Sequence, residues 1–321
     1  MKSFVITSSD DGIRLNRFLE KVVPALKLTL LYKYLRTKHI KLNRKSCEAS
    51  TRLCEGDLLE LYIPDEFFEQ QKKQPDFMRA SGNLSILYED ENIALLYKPA
   101  GLLAHEDKSS FGDTLVNRFL RHLYERGDYS PDSSTSFTPA LCNRIDRGTE
   151  GIVLAGKNSQ AVSALNKIIK ERRIVKKYLC VTVLKPPKDG VYRAYLLKDE
   201  SENKAEVKST PFGSAKEIKT GFTLLEERNS LYLVEAELFT GRTHQIRAHL
   251  AFLGAPILGD IKYGSKKLNK RYSESRQLLC SYSVQFRLSE DEDELLYYLN
   301  DKTFANRNID FVNKYFKGIR L

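Results

Sequence analysis

Apolar residues near the N-terminus recur at helical spacing, first at Leu15, Phe18, Leu19 and Val22 up to Pro24, then at Leu30, Leu31, Tyr34 and Leu35. The spacing predicts two short amphipathic helices. "IKLN", a turn at "NRK" and the run "GDLLELYIP", which reads as a closing strand, complete a small α/β module over residues 1–64. In residues 65–83 the periodicity breaks and Gln, Lys and Pro concentrate, so this stretch reads as a linker, with Phe67, Phe68 and Phe77 apolar enough to dock on a neighbour. A boundary falls near residue 80.

Beyond it the period alternates between two and 3.6. Ile86 to Tyr88 and Ile93 to Tyr97 read as strands, Lys98 to Gly101 as a turn, and Leu115, Phe119 and Leu123 as one face of a helix. A polar loop, "GDYSPDSSTSFTP", follows. Ile152 to Leu154 is a short strand, Ala161 to Ile169 a helix facing inward through Val162, Leu165 and Ile169, and "KKYLCVTVL" another strand. "FTLLEE", the turn Asn229-Ser230 and "LYLVEAELF" form a hairpin. "THQIRAHLAFLG" carries Ile246, Leu250 and Leu253 on one helical face with Gly254 as the C′ residue, and "LLCSYSVQF" alternates as a strand. Strands interspersed with helices predict an α+β domain over residues 84–321, built on a large mixed, mainly antiparallel sheet flanked by helices and loops.

Composition narrows the partners. Against 42 Asp and Glu the chain has 52 Lys and Arg, a net charge of +10, which favours a polyanion such as nucleic acid over a merely soluble basic protein only when a motif supports it. The longest apolar runs fall far short of the roughly 18 residues a membrane span needs, and the N-terminus lacks a signal-like apolar core, so a cytoplasmic protein without a membrane segment is expected. Five scattered cysteines without a C-x-x-C spacing argue against a disulfide framework or a zinc site, and His244 and His249 are five residues apart, off the i, i+4 spacing of a metal pair. No metal is expected.

Three features carry candidate chemistry: Asp146 between Arg144 and Arg147 in "NRIDRGTEGIVLAGK", the Lys177-Tyr178 pair opening a strand, and the polar helix start "GRTHQIR" followed by "PILGDIKYG". Each alone has a bland reading as a surface ion pair, an edge tyrosine or a solvated face. Together, and in order with "IALLYKPAGLLAH", they resemble the four blocks of the RluA-type pseudouridine synthases over Leu84 to Phe286. Residues 13 to 64 resemble, by pattern more than motif, the small RNA-binding module named after ribosomal small-subunit protein S-four.

That resemblance implies an enzyme that isomerises selected uridines in structured RNA to pseudouridine without cofactor, metal or nucleoside triphosphate. It makes Asp146 the nucleophile, attacking either the base or the ribose, because a carboxylate that holds a covalent intermediate divides one difficult step into easier ones. It assigns the ion pair to Arg247, and gives Tyr178 the stacking on uracil and, with it, a candidate role as the base that removes the carbon 5 proton. Ile257 or Leu258 would pack beneath the ring. Arg144 and Arg147 would line the RNA backbone or flank the base, and Thr149, Arg242, His244 and Gln245 would also meet the substrate. Asn143 and Glu150 stand where many relatives have His and Ser, which puts the substrate position in question more than the activity. Large-subunit ribosomal RNA is the expected target and a monomer the expected state. A synthase acting on transfer RNA and a noncatalytic RNA-binding or ribosome-assembly protein are the alternatives, the latter opposed by the joint presence of Asp146, Tyr178 and Arg247. In the N-terminal module Arg14, Arg17, Lys27, Lys33, Arg36, Lys38, Lys41, Arg44 and Lys45 are dense enough for phosphate contacts, against a plain solvated face.

Overall fold

Residues 1–68, 75–106, 112–131, 137–199, 204–290 and 294–321 are described by the computed structural model of the chain. Strands β1 (Lys2–Val5), β2 (Ile40–Leu42), β3 (Lys45–Ser46) and β4 (Leu58–Leu61) form an antiparallel sheet in the order β1-β4-β2-β3. Helices α1 (Leu15–Val22) and α2 (Leu28–Arg36) cover it, because Leu15, Phe18, Leu19, Leu31 and Leu35 bury against Ile40, Leu59 and Leu61. The β2–β3 turn places Asn43 and Arg44 at φ of 51° and 63°, the double left-handed turn that suits the twist of a hairpin. Strand β1 was not expected; its four residues are mostly exposed and carry no alternation.

Phe67 and Phe68 pack on this first core, whereas Phe77 packs on Tyr124 and Tyr129, with ring centroids 5.7 and 5.9 Å away. The linker aromatics thus dock at both of its ends. Residues 69–74 of the linker and 132–136 of the polar loop lie outside the described residues.

The second sheet comprises β5 (Ser85–Glu89), β6 (Ile93–Lys98), β7 (Ala140–Leu141), β8 (Glu150–Gly156), β9 (Ile174–Thr182), β10 (Gly190–Asp199), β11 (Lys204–Lys208), β12 (Lys216–Arg228), β13 (Leu231–Leu238), β14 (Leu279–Phe286) and β15 (Thr303–Ala305). Its order is β11-β10-β12-β13-β9-β14-β8-β6-β5, with β15 on β14 and β7 on β8. Among the named strands of the described residues the β8–β14 pairing is the parallel one; the sheet is mixed and mainly antiparallel, and the fold is α+β as expected.

Helices α3 (Leu115–Glu125) and α5 (Gln245–Phe252) share one core with Tyr178, Val234 and Ile257. Helix α4 (Ser159–Lys170) lies over a second, and α7 (Asp310–Tyr315), through Phe311 and Val312, completes a third with Leu179 and Val181, so the C-terminal segment packs on the sheet. A short α6 (Lys266–Arg271) precedes β14.

Two local readings need correction. The α4 face that goes inward is Ala161, Leu165 and Ile168, with Val162 and Ile169 only half-buried. Strand β14 does not alternate: Leu279, Cys280, Ser281, Ser283, Val284 and Phe286 are all buried, because the sheet is covered on both faces.

Candidate active site

The loop between β7 and β8 is pinned before it reaches its carboxylate. The Asn143 side-chain oxygen accepts from the Leu154 N–H at 2.7 Å, and the Thr149 N–H donates to the Asp146 carbonyl at 3.0 Å. Asn143 therefore closes the loop onto β8. From the other side comes Lys98, fully buried, whose ammonium donates to the carbonyls of Pro99, Leu102 and Arg147 at 3.1, 2.8 and 3.1 Å. Burial lowers the Lys98 pKa to about 8, against the opposing charges of Asp146 and Glu150. The Gly101 N–H also donates to the Arg147 carbonyl, and Arg147 Nε to the Gly101 carbonyl, so the 98–102 turn and the Asp146 loop form one unit.

Arg247, 4% exposed on α5, donates from Nη1 to Asp146 Oδ2 at 2.8 Å. Its other donors go elsewhere: Nε reaches Asp260 Oδ2 at 2.7 Å and Nη2 reaches Asp260 Oδ1 at 3.1 Å. The two-pronged bond therefore belongs to Asp260, and Asp146 receives one prong. Burial opposes the Asp260 charge, yet the Arg247 bonds and charge, with the N–H groups of Tyr263 and Lys262, hold its pKa below the usual carboxylate range. Asp260 sits within "PILGDIKYG", but no role attached to it in the sequence, because only the turn after Leu258 brings it to Arg247.

Tyr178 lies on β9 in the same core, 7% exposed, its phenol pushed up to about 12 chiefly by burial, with the Asp146 charge adding to it. The phenol is neutral near pH 7, a state suited to stacking; proton removal would require that proton to leave first. Ile257 shares this core with Tyr178, whereas Leu258 packs with Leu179 and Phe311 in another cluster, so Ile257 is the one on the Asp146 side.

His244 precedes α5, its Nε2 3.8 Å from Asp146 Oδ2 and its Nδ1 2.9 Å from the Tyr263 hydroxyl. The polar atoms of Gln245 are engaged within the chain: its amide oxygen accepts from Thr240 and from the Arg242 N–H, and its amide nitrogen donates to the Lys219 carbonyl and Thr220. It holds the loop before α5. Thr149 is likewise buried, accepting from Gln277 at 3.4 Å. Arg144, Arg147 and Arg242 are exposed, and among the described residues none forms an ion pair with Asp146. Helix α5 is buried from Gln245 through Leu250 and not along one face, with Leu253 half-buried at its end.

Glu150, partly buried at the start of β8, has its pKa raised by burial and lies near Tyr97 and Lys98. Among the described residues no group of three His, Cys, Asp or Glu is placed to hold a metal. In the N-terminal module Arg14, Arg17, Lys27, Lys33, Arg36, Lys38, Arg44 and Lys45 are exposed, and Lys41 lies half-buried over the Tyr62 ring at 5.2 Å. This arrangement leaves a partly exposed carboxylate, held by a clamped arginine, beside a neutral phenol and an imidazole.

Residues 92–252 match the family RNA pseudouridylate synthase. An uncharacterized RNA pseudouridine synthase of Mycoplasma genitalium is 30% identical over 88% of this chain and 88% of its own. The ribosomal large subunit pseudouridine synthase C of Rickettsia bellii is 33% identical over 82% of this chain and 87% of its own. The human RNA pseudouridylate synthase domain containing 1 superposes with a TM-score of 0.52 at 19% identity, covering 73% of this chain and 94% of that structure, a likeness of fold.

Proposed function

This chain belongs to the RNA pseudouridylate synthase family and is an isomerase, and from that premise we propose that it converts uridines of large-subunit ribosomal RNA to pseudouridine with Asp146 as the nucleophile. The overall change breaks the bond between ribose carbon 1′ and uracil nitrogen 1 and forms one from carbon 1′ to carbon 5. The carbon 5 proton leaves and nitrogen 1 gains one, so nothing is consumed. A carboxylate carrier divides that exchange into two steps.

One observation carries the reading: Asp146 is the part of the Asp146–Arg247–Asp260 chain that still faces solvent, its side chain 25% exposed against 5% for Arg247 and 0% for Asp260. The Arg247 guanidinium holds that carboxylate in place through one bond from Nη1. Tyr178 and Ile257 supply the apolar bed for a uracil extruded from its stack at a cost of a few kcal/mol. The ribosomal target rests on the name of the Rickettsia bellii relative, and the exposed cations of residues 1–64 support an RNA-binding role for that module.

The test maps pseudouridines in ribosomal RNA from cells with and without the protein, then assays Asp146→Asn on the same RNA. A ribosomal site lost in the deletion and not restored by the variant is expected. Turnover by the variant, with deamidation excluded by mass, would overturn the nucleophile; an unchanged ribosomal map would overturn the target.

A further inference from the structure

His244 occupies an awkward place. As the residue preceding α5 it adopts φ of 58° and ψ of 17°, left-handed for a residue with a Cβ, and its side chain makes no capping bond to the helix. Backbone strain of this kind persists where the surroundings over-determine it. What the conformation achieves is direction: the ring, only 8% exposed, presents Nδ1 to Tyr263 and Nε2 to the Asp146 carboxylate.

The Tyr263 hydroxyl fixes which nitrogen carries the proton. Its oxygen accepts from the Ala205 N–H on β11 at 2.6 Å, and its ring lies beneath the Arg247 guanidinium, 5.3 Å from the centroid. The hydroxyl's own proton needs an acceptor, which the Ala205 N–H cannot be, and among its hydrogen-bond partners in the described residues His244 Nδ1 at 2.9 Å is the one that can take it. Tyr263 is held in turn, because its N–H donates to Asp260 Oδ1 at 3.0 Å. An imidazole that accepts at Nδ1 carries its proton at Nε2. That N–H points toward Asp146 Oδ2 from 3.8 Å, too far for a hydrogen bond and close enough for an acceptor beside the carboxylate to receive it.

We propose that His244 is a catalytic residue that donates from Nε2–H to an oxygen of the target nucleoside lying beside Asp146, with Tyr263 as the positioning residue that fixes the tautomer. The proposal rests on the reading of Asp146 as nucleophile. The donor stabilises negative charge that develops on that oxygen when the glycosidic bond breaks, and the proton stays on the imidazole. The charged groups that face the ring are Asp146, Arg247, Asp260 and Lys262; burial first, then the two cations, keep the ring neutral against the pull of the carboxylates. A neutral donor avoids placing a third cation beside Arg247 and Lys262.

The full-length protein labelled with ¹⁵N-histidine gives the first test. His244 should show a protonated Nε2 and a bare Nδ1, and Tyr263→Phe should abolish that preference; a protonated Nδ1 in the parent overturns the proposal. The second test measures turnover on transcribed large-subunit ribosomal RNA. Loss of one such donor costs about 10²–10³ in kcat, so His244→Leu should fall by that much with little change in KM, and His244→Gln should recover at least tenfold of the loss. His244→Asn accepts the left-handed backbone readily and should be as slow as the Leu variant, which separates a lost donor from strain. Activity of His244→Leu within threefold of the parent overturns the proposal. With 2′-deoxyuridine at the target position, a full Leu penalty identifies a uracil carbonyl as the acceptor, and a vanished penalty, which would put the donor on a ribose 2′ oxygen where no such charge develops, overturns the proposal. Should Asp146→Asn prove active, the nucleophile reading fails separately, and the tautomer measurement still decides the geometry of His244.

Discussion

Asp260 and Asp146 flank the same guanidinium, but their burial assigns them different work. Asp260 is fully buried and takes two of Arg247's donors, so Asp260→Ala leaves a buried cation poorly compensated and should cost roughly 3–5 kcal/mol in denaturant unfolding. Asp146 takes one donor and is 25% exposed, so Asp146→Asn should cost at most about 1 kcal/mol while abolishing turnover. Equal losses of stability would show that the clamp does not discriminate between them. Lys98 offers a prediction with a sign. Its folded pKa of about 8 lies below its ordinary 10.5, so between these values the unfolded chain binds more protons and stability rises with pH. Relative to Lys98→Met, the parent should gain on the order of 3 kcal/mol as pH climbs from 8 toward 10.5, and lose it again as pH falls. Urea unfolding of both proteins across that window measures it; parallel curves would mean that the buried lysine does not titrate there.

Among the elements, those with a clear period were legible: α1, α3, β6, β9 and the β12–β13 hairpin with Asn229-Ser230 at its turn, both residues at positive φ. Strands β10 and β11 were not, because at the sheet edge charged side chains interleave with aliphatic ones and little is fully buried. The site was legible where a block carried it, as with Asp146 and Arg247. It was not legible for Asp260, Tyr263 or Lys98, because the turn after Leu258 is what brings the first two to Arg247 and His244, and the folding back of the Asp146 loop is what brings the Arg147 carbonyl to Lys98. Gly151 shows how tight one crossing is. It stands at φ of 120° where β8 begins beside β14, and a Cβ there would run into the Ser281 backbone. Gly151→Ala should therefore cost roughly 3 kcal/mol or more. Gly127, at φ of 80° with nothing near its Cβ position, serves as the control: Gly127→Ala should cost only about 1–2 kcal/mol for the backbone alone. Similar losses at both glycines would remove close approach as the cause.

At the scale of the molecule, the charge is unevenly held. Residues 1–64 contain 12 Lys and Arg against 7 Asp and Glu, a net +5 and half of the chain's +10 in a fifth of its length. Arg14, Lys33, Arg36, Lys38, Arg44 and Lys45 are exposed on this module, and its own apolar cluster holds its helices to its sheet. Lys21 reaches across to the Phe137 carbonyl at 2.7 Å, with its pKa lowered by burial to about 8. Phe77 and Arg121 meanwhile tie the end of the linker to α3, through the Tyr124 ring and the Ala80 carbonyl. A truncation should therefore start at Pro75, keeping those ties, and leave the isomerase sheet folded with Asp146 intact. Each phosphate that the shortened protein no longer neutralises lowers the slope of log affinity against log salt by about 0.7–0.9. If the module's exposed cations meet RNA, residues 75–321 should bind ribosomal RNA more weakly at low salt and converge with the full chain as salt rises. A short uridine-bearing oligonucleotide, too small to reach both parts, should be turned over at nearly the same kcat by either protein. An unchanged salt slope would place the module's cations in solvent, and a collapse of kcat on the oligonucleotide would make the module part of the site itself.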